Sequence, residues 1–210
     1  MSTLLYINAH PLDVHESFSA AVGERFLDAY RAANPSHPIA RIDLYRADVP
    51  LLDADVLRGW NALRAGEPFD ALAPETQRKL FRLGELVDGF LAADKYVFVS
   101  PMWNFSYPPA MKAYLDAVAV AGKTFQYTPQ GPVGLVAGKA LHIQASGGVY
   151  SEGPAAGHDF GHAHLAATLR FFGIADVRKL AIEGHAQHPE RRDAIAEAAL
   201  RAADELARNW

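Results

Sequence analysis

The sequence predicts an α/β fold: a doubly wound, five-stranded parallel sheet in the order 2-1-3-4-5 with helices on both faces. Two observations carry this. Short continuous apolar runs alternate with longer stripes at helical spacing along the whole chain, and that alternation requires crossover helices over a parallel sheet. The second and fifth runs are the most polar, which suits edge strands, and those two are the edges of order 2-1-3-4-5. With 210 residues, half of them apolar, and no linker-like stretch, the chain reads as one domain over 1–210.

Each element has its own signal. Leu4, Leu5, Tyr6 and Ile7 form the first strand, and Phe18, Val22, Phe26 and Tyr30 follow at helical spacing. Ile42 and Leu44 alternate with Arg41 and Asp43, a period of two that marks a strand with a solvated face. Residues 45–73 read as a long irregular stretch. Pro74 opens a helix with Leu80, Leu83, Val87, Phe90 and Leu91 on one side. Tyr96 to Val99 is the third strand. Pro108 and Pro109 start a helix carrying Met111, Leu115 and Val118, with Gly122 as its stop. Ala140 to Ala145 is the fourth strand, although His142 and Gln144 sit oddly in an interior position and imply a polar site nearby. A helix over about 157–172 stops at Gly173. Val177, Leu180 and Ile182, interspersed with Arg178 and Lys179, form the fifth strand, and Ile195, Ala199, Ala202 and Leu206 line the last helix.

Composition narrows the function. Twenty basic against 24 acidic side chains give a net charge of −4, which removes the basis for non-specific nucleic-acid binding. The absence of cysteine excludes disulfides, iron–sulfur clusters and thiol nucleophiles, so redox chemistry would need a borrowed cofactor. No apolar stretch approaches a membrane span and the N-terminus lacks a signal-peptide pattern, so the expectation is a cytoplasmic protein.

Open α/β sheets bind ligands beyond the strand carboxyl ends where strand order reverses, here between the first and third strands. The loop after the first strand contains His10 and ends in Ser17-Phe18-Ser19 at a helix start. Unpaired helix amides with flanking hydroxyls suit a phosphate monoester, and an ordinary serine cap is the bland alternative. The third loop, Pro101-Met102-Trp103-Asn104-Phe105, carries large aromatic residues that either fold onto the core or cover a flat ligand. Ala145-Ser146-Gly147-Gly148 follows the fourth strand, and its glycines let backbone approach a ligand. Gly122-Lys123-Thr124 imitates the end of a P-loop but closes a helix instead of opening one.

These residues resemble the FMN-dependent NADH-azoreductase and quinone-reductase family, which has a flavodoxin-like fold, and the resemblance runs almost end to end. Pro101-Met102-Trp103-Asn104-Phe105, followed by Ala110-Met111-Lys112-Ala113-Tyr114-Leu115-Asp116, is similar to the family's P-M-Y/W-N-F and L-K-x-Y-x-D helix. Gly122-Lys123-Thr124-Phe125-Gln126-Tyr127-Thr128 and Gly131-Pro132-Val133-Gly134-Leu135 resemble its G-x-T-F-x-Y-T and G-P-x-G-L segments.

The resemblance implies FMN as cofactor, with NADH or NADPH as electron donor and quinones or azo compounds as acceptors. It assigns Ser17, Phe18 and Ser19 to the phosphate and ribityl chain, and Pro101 and Met102 to Phe105 to one flavin edge. Ala145, Ser146, Gly147 and Gly148 take the place of a turn that often reads S-R-G-G in the azoreductases, so the Gly-Gly backbone contact carries over and the Ser and Arg side chains do not. His10-Pro11 replaces a common azoreductase Ser and is closer to the related quinone reductases. The amides of Asn104 and Phe105 are expected at flavin N5 and O4, and those of Gly147 and Gly148 where charge develops near N1 and O2. No acid or base residue is required for hydride transfer. Phe105, Tyr127 and Tyr150 are expected to wall a slot that donor and acceptor occupy in turn, in a homodimer to which the 45–73 segment, with Leu51, Leu52, Val56, Leu57 and Trp60, contributes.

Three other readings compete. His158, His162 and His164 lie close in sequence, with 158 and 162 on one helical face, as a metal site requires, but no carboxylate motif accompanies them. A flavodoxin-type electron carrier is usually shorter and more acidic than this chain, and a non-catalytic flavin-binding regulator needs no substrate slot.

Overall fold

The computed structural model describes residues 2–210, which run β1 (Leu4–Asn8), α1 (Phe18–Ala33), β2 (Ile39–Asp43), α2 (Ala54–Arg64), α3 (Pro74–Leu91), β3 (Lys95–Pro101), α4 (Pro109–Val118), β4 (Phe125–Thr128), β5 (Gly131–Gly134), β6 (Lys139–Ser146), α5 (Phe160–Phe172), β7 (Asp176–Glu183) and α6 (Arg192–Arg208). The five strands expected from the apolar runs form one sheet in the order β2-β1-β3-β6-β7, and every neighbouring pair is parallel. In the order of those five runs this is 2-1-3-4-5. The interior strands β1, β3 and β6 are buried almost throughout, whereas β2 and β7 are partly exposed. An interior strand meets helices on both faces and is mostly apolar, its few polar residues needing buried partners, while an edge strand is not so constrained.

Helices α1 and α6 cover one face, with Phe26, Tyr30, Ala203, Ala207 and Trp210 in their shared core. Helices α3, α4 and α5 supply Leu83, Phe90, Met111, Leu115, Leu165 and Leu169 to the core on the other face. Alanines on the buried stripe of α6 (Ala199, Ala203, Ala207) let its backbone come close to α1, and the Trp210 ring beyond its end meets Phe26 edge-on at 6.2 Å.

The structure corrects three details. The stretch 45–73 is not irregular: Asp53 caps α2 by accepting from the amides of Asp55 and Val56. Val56 is fully buried and Trp60 half-buried against the core, so of the five apolar residues expected to be exposed there only Leu51, Leu52 and Leu57 are. Residues 125–134 form an antiparallel hairpin, β4-β5, outside the main sheet. The fourth predicted helix begins at Phe160, so His158 precedes it and shares no helical face with His162.

Candidate functional site

The loop after β1 leads its chain into a pocket. Ala9 N–H donates to the Val99 carbonyl at 2.8 Å, tying the loop to β3. Leu12 N–H donates to His10 Nδ1 at 3.0 Å, so the neutral ring carries its proton on Nε2. Burial pushes the His10 pKa below its ordinary value. Ser17 is the N-cap of α1, its Oγ accepting from Ala20 N–H at 3.2 Å and lying 3.2 Å from Ser19 Oγ. That cap serves a later amide. Among the described residues the amides of Phe18 and Ser19 donate to no protein acceptor, and they define the positive end of the helix.

The loop after β3 is a tight two-residue hairpin. Trp103 and Ser106 exchange backbone hydrogen bonds of 2.7 and 3.0 Å, and between them Asn104 (φ 49°) and Phe105 (φ 68°) both lie in the left-handed region. Two successive positive φ angles define the type I′ geometry, which accepts Asn readily but costs a Phe about 1 kcal/mol. Helix α5 meets that cost: its amides at Phe160 and Gly161 donate to the Phe105 carbonyl at 3.0 and 3.2 Å. A side chain at Gly161 would place its Cβ 2.8 Å from the Tyr107 nitrogen, so only glycine lets helix and hairpin approach. The Asn104 and Phe105 amides again have no protein acceptor among the described residues.

After β6 the turn at 146–150 is held from the α6 side. Ala186 and Gln187 donate to the Gly147 carbonyl at 3.1 and 2.9 Å, and Gly184 donates to the carbonyls of Ser146 and Gly148. Ser146 Oγ donates to the Gly148 carbonyl at 2.9 Å, Val149 N–H to Gln187 Oε1, and Tyr150 and Ser151 N–H to the Glu183 carboxylate at 3.3 and 3.2 Å. With its carbonyls engaged below, the turn keeps the amides of Gly147 and Gly148 free of protein acceptors among the described residues. A Cβ at Gly148 would meet nothing closer than the Tyr150 ring at 3.4 Å, so the protein itself does not require glycine there.

A cavity of about 220 Å³ lies between these loops, lined by His10, Ser17, Phe18, Ser19, Pro101, Met102, Trp103, Ala145 and Gly147, with Glu16 and His185 as residues the sequence reading missed. The larger groove of about 580 Å³ between α1 and α6 is bordered by paired charges such as Arg25 and Asp204 and has no convergent amides. Asn104, Phe105, Ser146 and Gly148 stand outside the cavity lining. His185 stacks on Phe18 with centroids 4.5 Å apart, and Arg192 lies over the same Phe18 ring at 5.0 Å. Burial, helped by Arg192, pushes the His185 pKa down.

Of the expected slot walls, Phe105 is 48 % exposed and faces Tyr150 edge-on at 6.2 Å. Tyr127 is not with them. It is 74 % exposed on β4, beside Phe125, which packs on Phe171 and Phe172. Those two end α5 while Phe105 sits at its start, and 13 residues of helix span roughly 20 Å.

The three neighbouring histidines diverge. His164 Nδ1 is 2.6 Å from the Tyr107 hydroxyl, His162 Nδ1 is 3.3 Å from His142 Nδ1, and His158 lies against Phe105 at 5.8 Å. No group of three or more His, Asp or Glu able to hold a metal occurs among the described residues. His142 and Gln144 find their explanation in this layer. The fully buried His142 places Nε2 3.0 Å from Ser100 Oγ, and burial together with His162 pushes its pKa down to about 3. Gln144 Nε2 donates to Asp159 Oδ1 at 3.2 Å.

The comparisons identify the fold and the family. The family model described as "Flavodoxin-like fold" matches residues 2–207. A protein of Geobacillus kaustophilus (strain HTA426) named FMN-dependent NADH:quinone oxidoreductase is 51 % identical, covering 100 % of both chains. FMN-dependent NADH:quinone oxidoreductase 2 of Bacillus subtilis (strain 168) is 49 % identical over the same extent. The azoreductase of Bacillus anthracis str. Sterne superposes with a TM-score of 0.92 at 34 % identity, over 100 % of each chain. An FMN-dependent NADH-azoreductase from Bacillus anthracis str. Ames Ancestor, solved in complex with FMN, gives 0.89 at 34 % identity, covering 99 % of this chain and 100 % of that one. No helix among the described residues is long and apolar enough to cross a membrane.

Proposed function

Because the chain belongs to the flavodoxin-like family of the FMN-dependent NADH:quinone oxidoreductases, we propose that it is an FMN-dependent enzyme passing two electrons from NADH, or NADPH, to quinones or azo compounds. The observation that carries the proposal is that the loops after β1, β3 and β6 line one cavity and that each carries a pair of amides without a protein acceptor among the described residues, at 18–19, 104–105 and 147–148. Such a set suits an anion at one end and two polar edges of a flat ring further out.

Ser17, Ser19, the α1 amides and His10 Nε2–H would hold the phosphate, with Phe18 against the ribityl chain. Pro101, Met102, Trp103, Asn104 and Phe105 would border one flavin edge, and Ala145, Ser146, Gly147 and Gly148 the other. When bound, FMN supplies hydride chemistry at N5. The protein's part is to fix the ring, to offer fixed N–H groups where negative charge grows, and to leave one face open. Donor and acceptor then occupy that face in turn. The working unit is a homodimer, which gives Tyr127 its place: it can wall a slot with Phe105 and Tyr150 only when a second copy supplies it. An NADH-consuming enzyme without cysteine suits the cytoplasm.

Heating the purified protein and identifying the released chromophore by mass tests the reading. FMN in about one equivalent per chain is the expected result. No flavin, and none taken up on reconstitution, would overturn it.

A further inference from the structure

Lys179 stands on the edge strand β7, where a lone lysine reads as a solvated residue, yet its side chain is only 20 % exposed. Its ammonium donates to Asp159 Oδ2 at 2.5 Å and lies 3.7 Å from Glu183 Oε1. Each carboxylate has a second task. Asp159 caps α5, with Oδ1 accepting from His162 N–H at 3.0 Å and from Gln144, and the next two amides of that helix start hold the Phe105 carbonyl and its left-handed turn. Glu183 receives the Tyr150 and Ser151 amides and so closes the turn after Gly148. One cation therefore touches the supports of both loops that border the crevice.

We propose that Lys179 is a positioning residue that sets the 103–106 hairpin and the 147–151 turn as one unit, through Asp159 and α5 on one side and Glu183 on the other. The significance of the two loops as flavin edges rests on the function proposed above; the mechanical linkage does not. An exposed ion pair would carry little weight. Here both carboxylates are nearly nine-tenths buried, so removing the cation leaves two buried negative groups with their charge unmet, and each gains by loosening its own loop toward water. The geometry of the amides at 104–105 relative to those at 147–148 is then a property of Lys179.

Hydrogen–deuterium exchange on the purified protein, with flavin removed and with FMN added back, tests the linkage. Lys179→Met should speed exchange at least tenfold in peptides covering both 103–107 and 147–151 while leaving the α1 and α6 face unchanged. It should also weaken FMN about tenfold by fluorescence titration, and Lys179→Arg should restore both readouts. Asp159→Ala should loosen 103–107 alone and Glu183→Ala 147–151 alone. Uniform loosening of the whole fold, loosening of one turn only in Lys179→Met, or a single-carboxylate variant that loosens both turns or neither would overturn the proposal. Should Lys179→Met fail to fold, the two carboxylate variants decide by the same criteria. If FMN does not bind at all, the cofactor reading falls, while the exchange pattern still decides the linkage.

Discussion

Gly148 is a residue that the protein would let carry a side chain, since a Cβ there makes only ordinary contact with Tyr150. A flavin edge lying above it, as proposed, would account for glycine there. Gly148→Val is expected to leave thermal unfolding unchanged and to slow flavin reduction by NADH by roughly 10²–10³, more than it weakens FMN, because it displaces a donor from the place where charge develops. Stopped-flow reduction beside an FMN titration checks this; equal losses in both would assign Gly148 to binding alone. His142 gives a different residue-scale expectation. Its pKa in the fold, near 3, lies below the unfolded value near 6.5, so the unfolded chain takes up a proton that the folded one refuses. The stabilisation is complete above about pH 6.5 and is lost as pH falls toward 3, by about 1.4 kcal/mol per unit from this group. His10, His162 and His185, also held below their ordinary values by burial, add with the same sign. Urea midpoints at pH 7, 6 and 5 should fall accordingly, and His142→Asn should flatten the slope. An unchanged slope would assign the acid sensitivity to the other histidines.

Helix α1 serves the core through Phe26 and Tyr30 and the crevice through its first turn, and the two duties separate by residue. Among the described residues the buried Ser19 Oγ hydrogen-bonds only Ser17 Oγ, whereas Ser17 also caps the helix. Ser19→Ala should weaken FMN without lowering stability. The double change of Ser17 and Ser19 to Ala should weaken FMN by about 1–3 kcal/mol and cost about 1 kcal/mol of stability. Fluorescence titration and thermal melts distinguish the outcomes, and unchanged FMN affinity in the double variant would move the phosphate elsewhere. The same element-level logic explains what the sequence disclosed. Strands buried on both faces must be continuously apolar and helices must carry a stripe, so β1, β3, β6, α3 and α4 stand out, and the loops at their ends locate the crevice. Helix α2 does not stand out because exposed Leu51, Leu52 and Leu57 surround its buried Val56 and Gly59 and hide the stripe. The hairpin β4-β5 is too short, at four residues a strand, to show a period. The left-handed Phe105 carries no turn residue to announce it, and Lys179 looks like any edge charge; both are set by tertiary contacts with α5.

At the scale of the whole molecule Phe81, Phe105, Tyr127 and Phe160 are 64, 48, 74 and 55 % exposed, and the proposed homodimer would cover those of them that lie beside the crevice. A second copy is the expected partner, and sedimentation at micromolar concentration should give twice the mass of the chain; a species of one chain mass alone would refute the homodimer. The kinetic expectation follows from the same arrangement. In the proposed site, Trp103 and Phe105 on one side and Gly147 on the other would leave a flat ring one open face, the other lying against the loops that hold it. Two flat molecules cannot both stack on one face, so on that reading the oxidised nicotinamide would leave before a quinone or azo acceptor enters. Initial rates at varied donor and acceptor should therefore give parallel double-reciprocal lines, and the flavin should be reduced fully by NADH with no acceptor present. Intersecting lines would mean that donor and acceptor are held together. That would require a second pocket, distinct from the cavity lined by Ser17, Ser19, Met102 and Gly147, which the flavin itself would occupy.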